Sequence, residues 1–168
     1  MAAKIDVAFK FFISEGDYDT ANRIAVLMIG RELSAASIQR ILEQLVDENI
    51  ARGWVHKARP FANLLPEPQR TMGLVKTLEK CVQQGQLEDA QETAKLLGRE
   101  LSVDELQTIL EQDIQHGWFD LAQKTAKLLN RELSVDELQT ILEHNVKHDR
   151  FDDLLKVVNL LPEPQRIA

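Results

Sequence analysis

Residues 99–111 read RELSVDELQTILE, and residues 131–143 read the same thirteen letters, 32 positions later. Setting 80–111 against 112–143 gives 22 identities in 32 positions, so the chain carries an internal duplication. A period of this length is the mark of stacked units, each too small to bury its own apolar face. The pattern runs outward in weaker form. GRELSAASIQRILE at 30–43 matches GRELSVDELQTILE at 98–111, and NLLPEPQR stands at both 63–70 and 159–166. Gly16, Gly53, Gly85 and Gly117 each precede an alanine by five residues: Ala21, Ala58, Ala90 and Ala122. In the last unit Asp149 and Leu154 take those places.

Within a unit the spacing predicts two helices. Val103, Leu106, Ile109, Leu110 and Ile114 recur at helical intervals and form one apolar stripe over residues 103–116. Ser102 and Glu105 have capping-box spacing, flanked by Leu101 and Leu106 as a hydrophobic staple; Leu133, Ser134, Glu137 and Leu138 repeat the device. Gly117 ends the first helix, and a second is expected over residues 119–129, burying Phe119, Ala122, Ala126 and Leu129. Gly98 and Asn130 follow equivalent second helices, as left-handed caps do, whereas Pro66 and Pro162 stop theirs by chain geometry. Ala58, Ala90 and Ala122, with Ala62, Ala94 and Ala126 one turn later, leave room for neighbouring helices to approach closely.

Aromatic residues make up only 5% of the chain, and helix formers dominate the rest. The reading is therefore all-α: an α-solenoid of five stacked antiparallel helix pairs, about ten helices. The units fall at about 1–33, 34–66, 67–101, 102–133 and 134–168 of one repeat domain, with turns near Gly16, Gly53, Gly85, Gly117 and Asp149.

The turn strings GDYDTA (16–21), GQLEDA (85–90) and GWFDLA (117–122) resemble those of tetratricopeptide and pentatricopeptide repeats, where a glycine precedes a second helix carrying a small residue. The period of 32 is shorter than theirs, Leu78, Leu110 and Leu142 stand where a small residue is usual, and Ala94 and Ala126 replace an aromatic. The resemblance implies a tetratricopeptide-like superhelix and a preference for peptide or protein ligands.

Net charge is −7 and unevenly spread: residues 1–84 carry +1, residues 85–168 carry −8. An acidic half repels phosphate backbones and argues against general nucleic-acid binding. One cysteine, Cys81, excludes an intrachain disulfide and fits a reducing, cytoplasmic setting. The longest unbroken apolar run, residues 24–29, is too short to span a bilayer. Asp6 and Lys10 interrupt the apolar N-terminal stretch, so no cleaved leader is expected.

Little in the sequence supports catalysis. The carboxylates are expected at caps and on outer helix faces, and Cys81, which aligns with Asp113 and Asn145, is expected to be half-exposed. His144 and His148 share a helix face, yet HNVKH lacks the glutamate of a zinc-protease helix, and no phosphate-binding glycine loop is present. No metal or cofactor is expected.

The reading that remains is a non-enzymatic scaffold binding a protein or peptide along its first helices. Two columns off the apolar stripe vary between units: Arg40, Lys76, Thr108 and Thr140, then Gln44, Lys80, Gln112 and His144. Trp54 and Trp118 each follow a turn glycine, in a column that also holds Asp17, Gln86 and Arg150, and are candidates for an exposed ridge. The alternatives are a single-stranded RNA binder, which the pentatricopeptide likeness allows, and a self-assembling or engineered repeat module. Self-association is expected through the N-terminal helix, where Phe9 and Phe12 belong to an apolar surface too wide for one neighbour to cover, most simply as a two-fold dimer.

Overall fold

Ser-x-x-Glu starts are expected at residues 102–105 and 134–137 and left-handed stops at the turns, and the structure has both. A computed structural model describes residues 35–161. These form eight α-helices and, among the described residues, no strand: α1 (Ala35–Ala51), α2 (Val55–Leu64), α3 (Gln69–Gln83), α4 (Leu87–Leu96), α5 (Val103–Gln115), α6 (Phe119–Leu128), α7 (Val135–Lys147) and α8 (Phe151–Leu160). The expectations for Phe9, Phe12, the Gly16 turn and the first helix pair lie outside the described residues.

The starts of α5 and α7 are built alike. The Ser102 hydroxyl accepts the Glu105 amide at 3.2 Å, while the Glu105 carboxylate accepts the Ser102 amide at 2.8 Å. Arg99 then grips the same carboxylate with two nitrogens, both at 2.7 Å. Ser134, Glu137 and Arg131 repeat the arrangement. The guanidinium, helped by the cap amide, holds the Glu105 and Glu137 carboxyls down at about 2, so both boxes stay charged in mild acid. A capping residue of this kind contributes roughly 1 kcal/mol.

The stops also repeat. At the end of α5, the Trp118 amide bonds the Asp113 carbonyl at 2.9 Å and the Gly117 amide bonds the Ile114 carbonyl at 3.1 Å, closing a Schellman turn around a left-handed Gly117. The same pair of bonds follows α1, α3 and α7, with Asp149 left-handed in the last. Gly98 and Asn130 close α4 and α6 likewise. After α2 and α8 the residue before proline, Leu65 or Leu161, turns extended, as the proline ring requires. Helices α5 and α6 end one residue earlier than their periodicity predicts, because His116 and Leu129 serve as caps.

Packing follows from these ends. The two helices of each pair, α1–α2, α3–α4, α5–α6 and α7–α8, contact each other, and α3 and α5 lie between two other first helices, α1 with α5 and α3 with α7. The core divides into three successive clusters that straddle the unit boundaries. Leu106 and Ile109 of α5, for instance, complete the cluster begun by Leu78, Leu87, Ala90 and Ala94. Burying one such large side chain is worth roughly 1.5–3 kcal/mol. Every described alanine of the two columns is buried, which is what lets the helices close up. Exposed ion pairs join successive second helices in register, Glu88 with Lys124 at 2.9 Å and Asp120 with Lys156 at 2.8 Å. Pairs this exposed align the helices more than they stabilise them.

Three expectations need correction. Val103 is 71% exposed, since it stands in the first turn of α5 and the buried stripe begins only at Leu106. Leu129 is half-buried, packing from the cap against the core rather than inside it. Helix α1 has 17 residues where α5 and α7 have 13, an added turn at its N-terminal end. Counted back from the turn glycine, Gln44 therefore lines up with Lys76, Thr108 and Thr140, and Arg40 lies one turn beyond them. Four residues make about one helical turn, so the face is preserved while the column shifts.

Candidate functional site

An opening lies between α1 and α3. Gly73 sits inside α3 against Ala62 of α2, whose Cβ would be only 3.2 Å from a Cβ added at that glycine. Beside it lies a cleft of about 310 Å³. Val46, Leu65, Met72 and Gly73 form its apolar part, and Glu43, Asp47, Gln69 and Lys76 its polar rim. Lys76 bridges the cleft to Asp47 at 2.9 Å, and Gln39 holds Glu43 at 2.9 Å. Met72 is exposed, an unbranched, polarisable side chain able to adapt to varied apolar partners. A second cleft of about 160 Å³ involves Gln123, Arg131 and Leu160.

The structure brings some of the candidate residues to this groove and takes others away. Lys76 lines it, Arg40 and Gln44 are exposed on α1, and Lys80 is half-buried one turn along α3. The hydroxyls of Thr108 and Thr140 donate back to the carbonyls of Asp104 and Asp136 in their own helices. Gln112 and His144 pack over the turn glycines of the preceding units, Gly85 and Gly117. The two tryptophans also part company. Trp54 is exposed, with Lys57 4.5 Å and Arg52 5.1 Å from its ring centre. Trp118 is half-buried, stacked on His116 with ring centres 4.7 Å apart and close to Gly85. Only Trp54 keeps the open position expected of a ridge.

Sequence reasoning misplaced one column entirely. Asn49, Cys81, Asp113 and Asn145 stand 32 residues apart, and all four are buried. Cys81 is not half-exposed and Asp113 is not on an outer face, because the column falls on the core stripe four residues after Leu45, Thr77, Ile109 and Ile141. Its backbone carbonyls accept the Schellman bonds, and its side chains face inward. Asn49 donates to the Leu45 carbonyl at 2.7 Å, and Asp113 accepts the Thr125 hydroxyl at 3.0 Å. In the last unit Val157 takes the Thr125 position, and neither polar atom of the buried Asn145 amide has a hydrogen-bond partner.

Burial, reinforced by the Asp89 carboxylate, pushes the Cys81 thiol up to about 12. A thiol so poorly ionised is inert as a nucleophile. Iodoacetamide is therefore expected to leave folded protein unlabelled at neutral pH and to label Cys81 fully in denaturant. Rapid labelling of the folded chain would contradict the burial.

The His144 and His148 rings lie tilted to each other with centres 4.4 Å apart, and His144 is shifted down by burial and by the neighbouring His148, Arg150, His116 and Lys147. Among the described residues, no group of three or more His, Cys, Asp or Glu side chains is placed to hold a metal ion. No described helix is long and apolar enough to cross a membrane. In comparison with known proteins, no family model, no curated protein and no solved structure matches this chain.

Proposed function

We propose that the chain is a non-enzymatic scaffold that binds an extended protein or peptide segment in the groove between α1 and α3. The observation that carries this reading is the groove itself, an apolar floor with an exposed methionine inside a charged rim. A small concave apolar surface with a few placed polar groups is the usual form of a ligand site. The reading includes a finer architecture: five helix pairs stacked as a short tetratricopeptide-like solenoid of about ten helices. The neighbour relations of α1 to α8 and the register of the second-helix ion pairs support it. A net charge of −7 favours a protein ligand over RNA, and the single buried thiol suits a reducing, cytoplasmic setting.

Panning a displayed peptide library against the whole chain tests the proposal. Enriched peptides are expected to share one or two apolar anchors and to lose about tenfold in affinity or more on Met72→Asp, an exposed position whose substitution spares the fold. Peptides that bind Met72→Asp and Lys76→Glu as well as the parent chain would sink the groove as the site. Competition by single-stranded RNA for the same surface would favour the RNA-binding alternative.

A further inference from the structure

Repeat columns disclose what a face is for, because the same position can be followed from covered to uncovered. In the column Val82, Ile114 and Val146, the first two are each 8% exposed and the third 56%. Val46, Leu78 and Leu110 are buried, while Leu142, their equivalent, is only partly so. Ala62, Ala94 and Ala126 are buried, and Val158 in their column is half-buried. In each case an inner unit is covered on that side by the unit that follows, and α7–α8 has no such cover among the described residues.

A further column marks the rim of this face. Arg59 reaches forward to the next second helix, bonding Asp89 at 2.7 Å, so its column points toward the following unit. Gln91 and Gln123 continue that column, and in the last unit it becomes Leu155, 74% exposed. A polar edge has turned apolar where the cover stops. The face is thus shaped for a helical unit of this same kind.

We propose that the open face of α7–α8 docks the N-terminal apolar segment, residues 5–13, of a second copy of this chain, giving a head-to-tail stack. That segment reads IDVAFKFFI, with more apolar residues than one helix neighbour can cover. Charge selects the direction. Residues 85–168 carry −8 and residues 1–84 carry +1, so tail-to-tail pairing sets two acidic halves together and head-to-tail pairing does not. A heterologous contact of this type leaves a free head and a free tail after each addition, so the series stays open rather than closing at a dimer.

Sedimentation velocity over a wide protein concentration range provides the test. The weight-average mass is expected to pass beyond that of two chains without a plateau. Val146→Asp disables the tail and Phe9→Asp the head, and each is expected to weaken association by about tenfold or more. Mixing the two variants should restore one contact and yield a 1:1 complex that grows no further. Circular dichroism of each variant establishes that helicity is kept, and Leu155→Asp supplies a second tail-disabled variant should Val146→Asp unfold. A parent chain that stays at 19.1 kDa overturns the proposal, as does one that stops at a two-fold dimer or a variant mixture that stays monomeric.

Discussion

Gly117→Ala is expected to destabilise the chain by about 3 kcal/mol, while Gly98→Ala costs only about 1 kcal/mol. Both glycines are left-handed, with φ of 69° and 72°, so each substitution bears the same local penalty of an L side chain in that conformation. They differ in what a new methyl group would meet. At Gly98 nothing lies within 4 Å. At Gly117 the added Cβ would stand 2.5 Å from Asn145 Oδ1 and 2.7 Å from His144 Cδ2, both on α7 of the next unit. Asn145 is fully buried and cannot swing aside, so α7 must move away from the α5–α6 turn. Urea unfolding of the two variants, compared at a common m-value, reads the difference. Adding Asn145→Ala removes the nearer obstruction and leaves only the His144 ring, so the remaining cost of Gly117→Ala should fall toward that of Gly98→Ala. Equal costs for the two single substitutions would mean that the turn and α7 are not in contact.

The same turn shows how far the sequence could be read. Its glycines, its Ser-x-x-Glu starts and its alanine columns each have one physical reason to be where they are, and all three are legible from spacing alone. Helix boundaries came within a residue because a left-handed stop is a local property of Gly, Asn or Asp. The added turn of α1 was harder to see. GRELSAASIQRILE aligns with later units from its cap, but units stack from the glycine end, and the two registers differ by four residues. The groove between α1 and α3 is lined by Gly73, which packs against Ala62 across the interface. No one-dimensional pattern contains that relation.

Residue type misled where spacing would have served. Leu106, Ile109, Leu110, Asp113 and Ile114 follow the i, i+3, i+4, i+7, i+8 series of a buried face without a break. An aspartate reads by type as a solvent-facing residue, and Cys81, aligned with it, reads outward as well. The partner that makes the burial tolerable, Thr125, lies on the next helix and belongs to a column of Phe61, Thr93 and Val157 that is buried throughout. Polar residues facing each other across two buried columns are a signal that pairwise reading of the repeat would have found.

Asp113→Asn is expected to make the chain more stable at pH 8 and to leave it nearly unchanged near pH 4. Burial pushes the Asp113 carboxyl up to about 6 from the ordinary 3.8, while the Thr125 hydroxyl and the His116 charge pull down more weakly. Gly85 and Trp118 close the site from the preceding and following turns, and Asp113 Oδ1 has no hydrogen-bond partner there. A folded value above the unfolded one means that the folded chain favours the protonated form. That contribution is complete below 3.8 and is lost as pH rises through about 6, so the ionised carboxylate opposes folding at pH 8. A shift of about two units corresponds to roughly 3 kcal/mol at most, and relaxation of the site brings the expected gain to roughly 1–3 kcal/mol. Asparagine is already accommodated in this column at Asn49 and Asn145, and its carbonyl can still accept the Thr125 hydroxyl. Urea midpoints of parent and variant should therefore diverge as pH rises from about 4 to about 6 and stay apart at pH 8, in favour of Asp113→Asn. A gain that is the same at both pH values would show that Asp113 does not titrate in the fold, and a loss at pH 8 would show that its charge is stabilised by a partner other than Thr125.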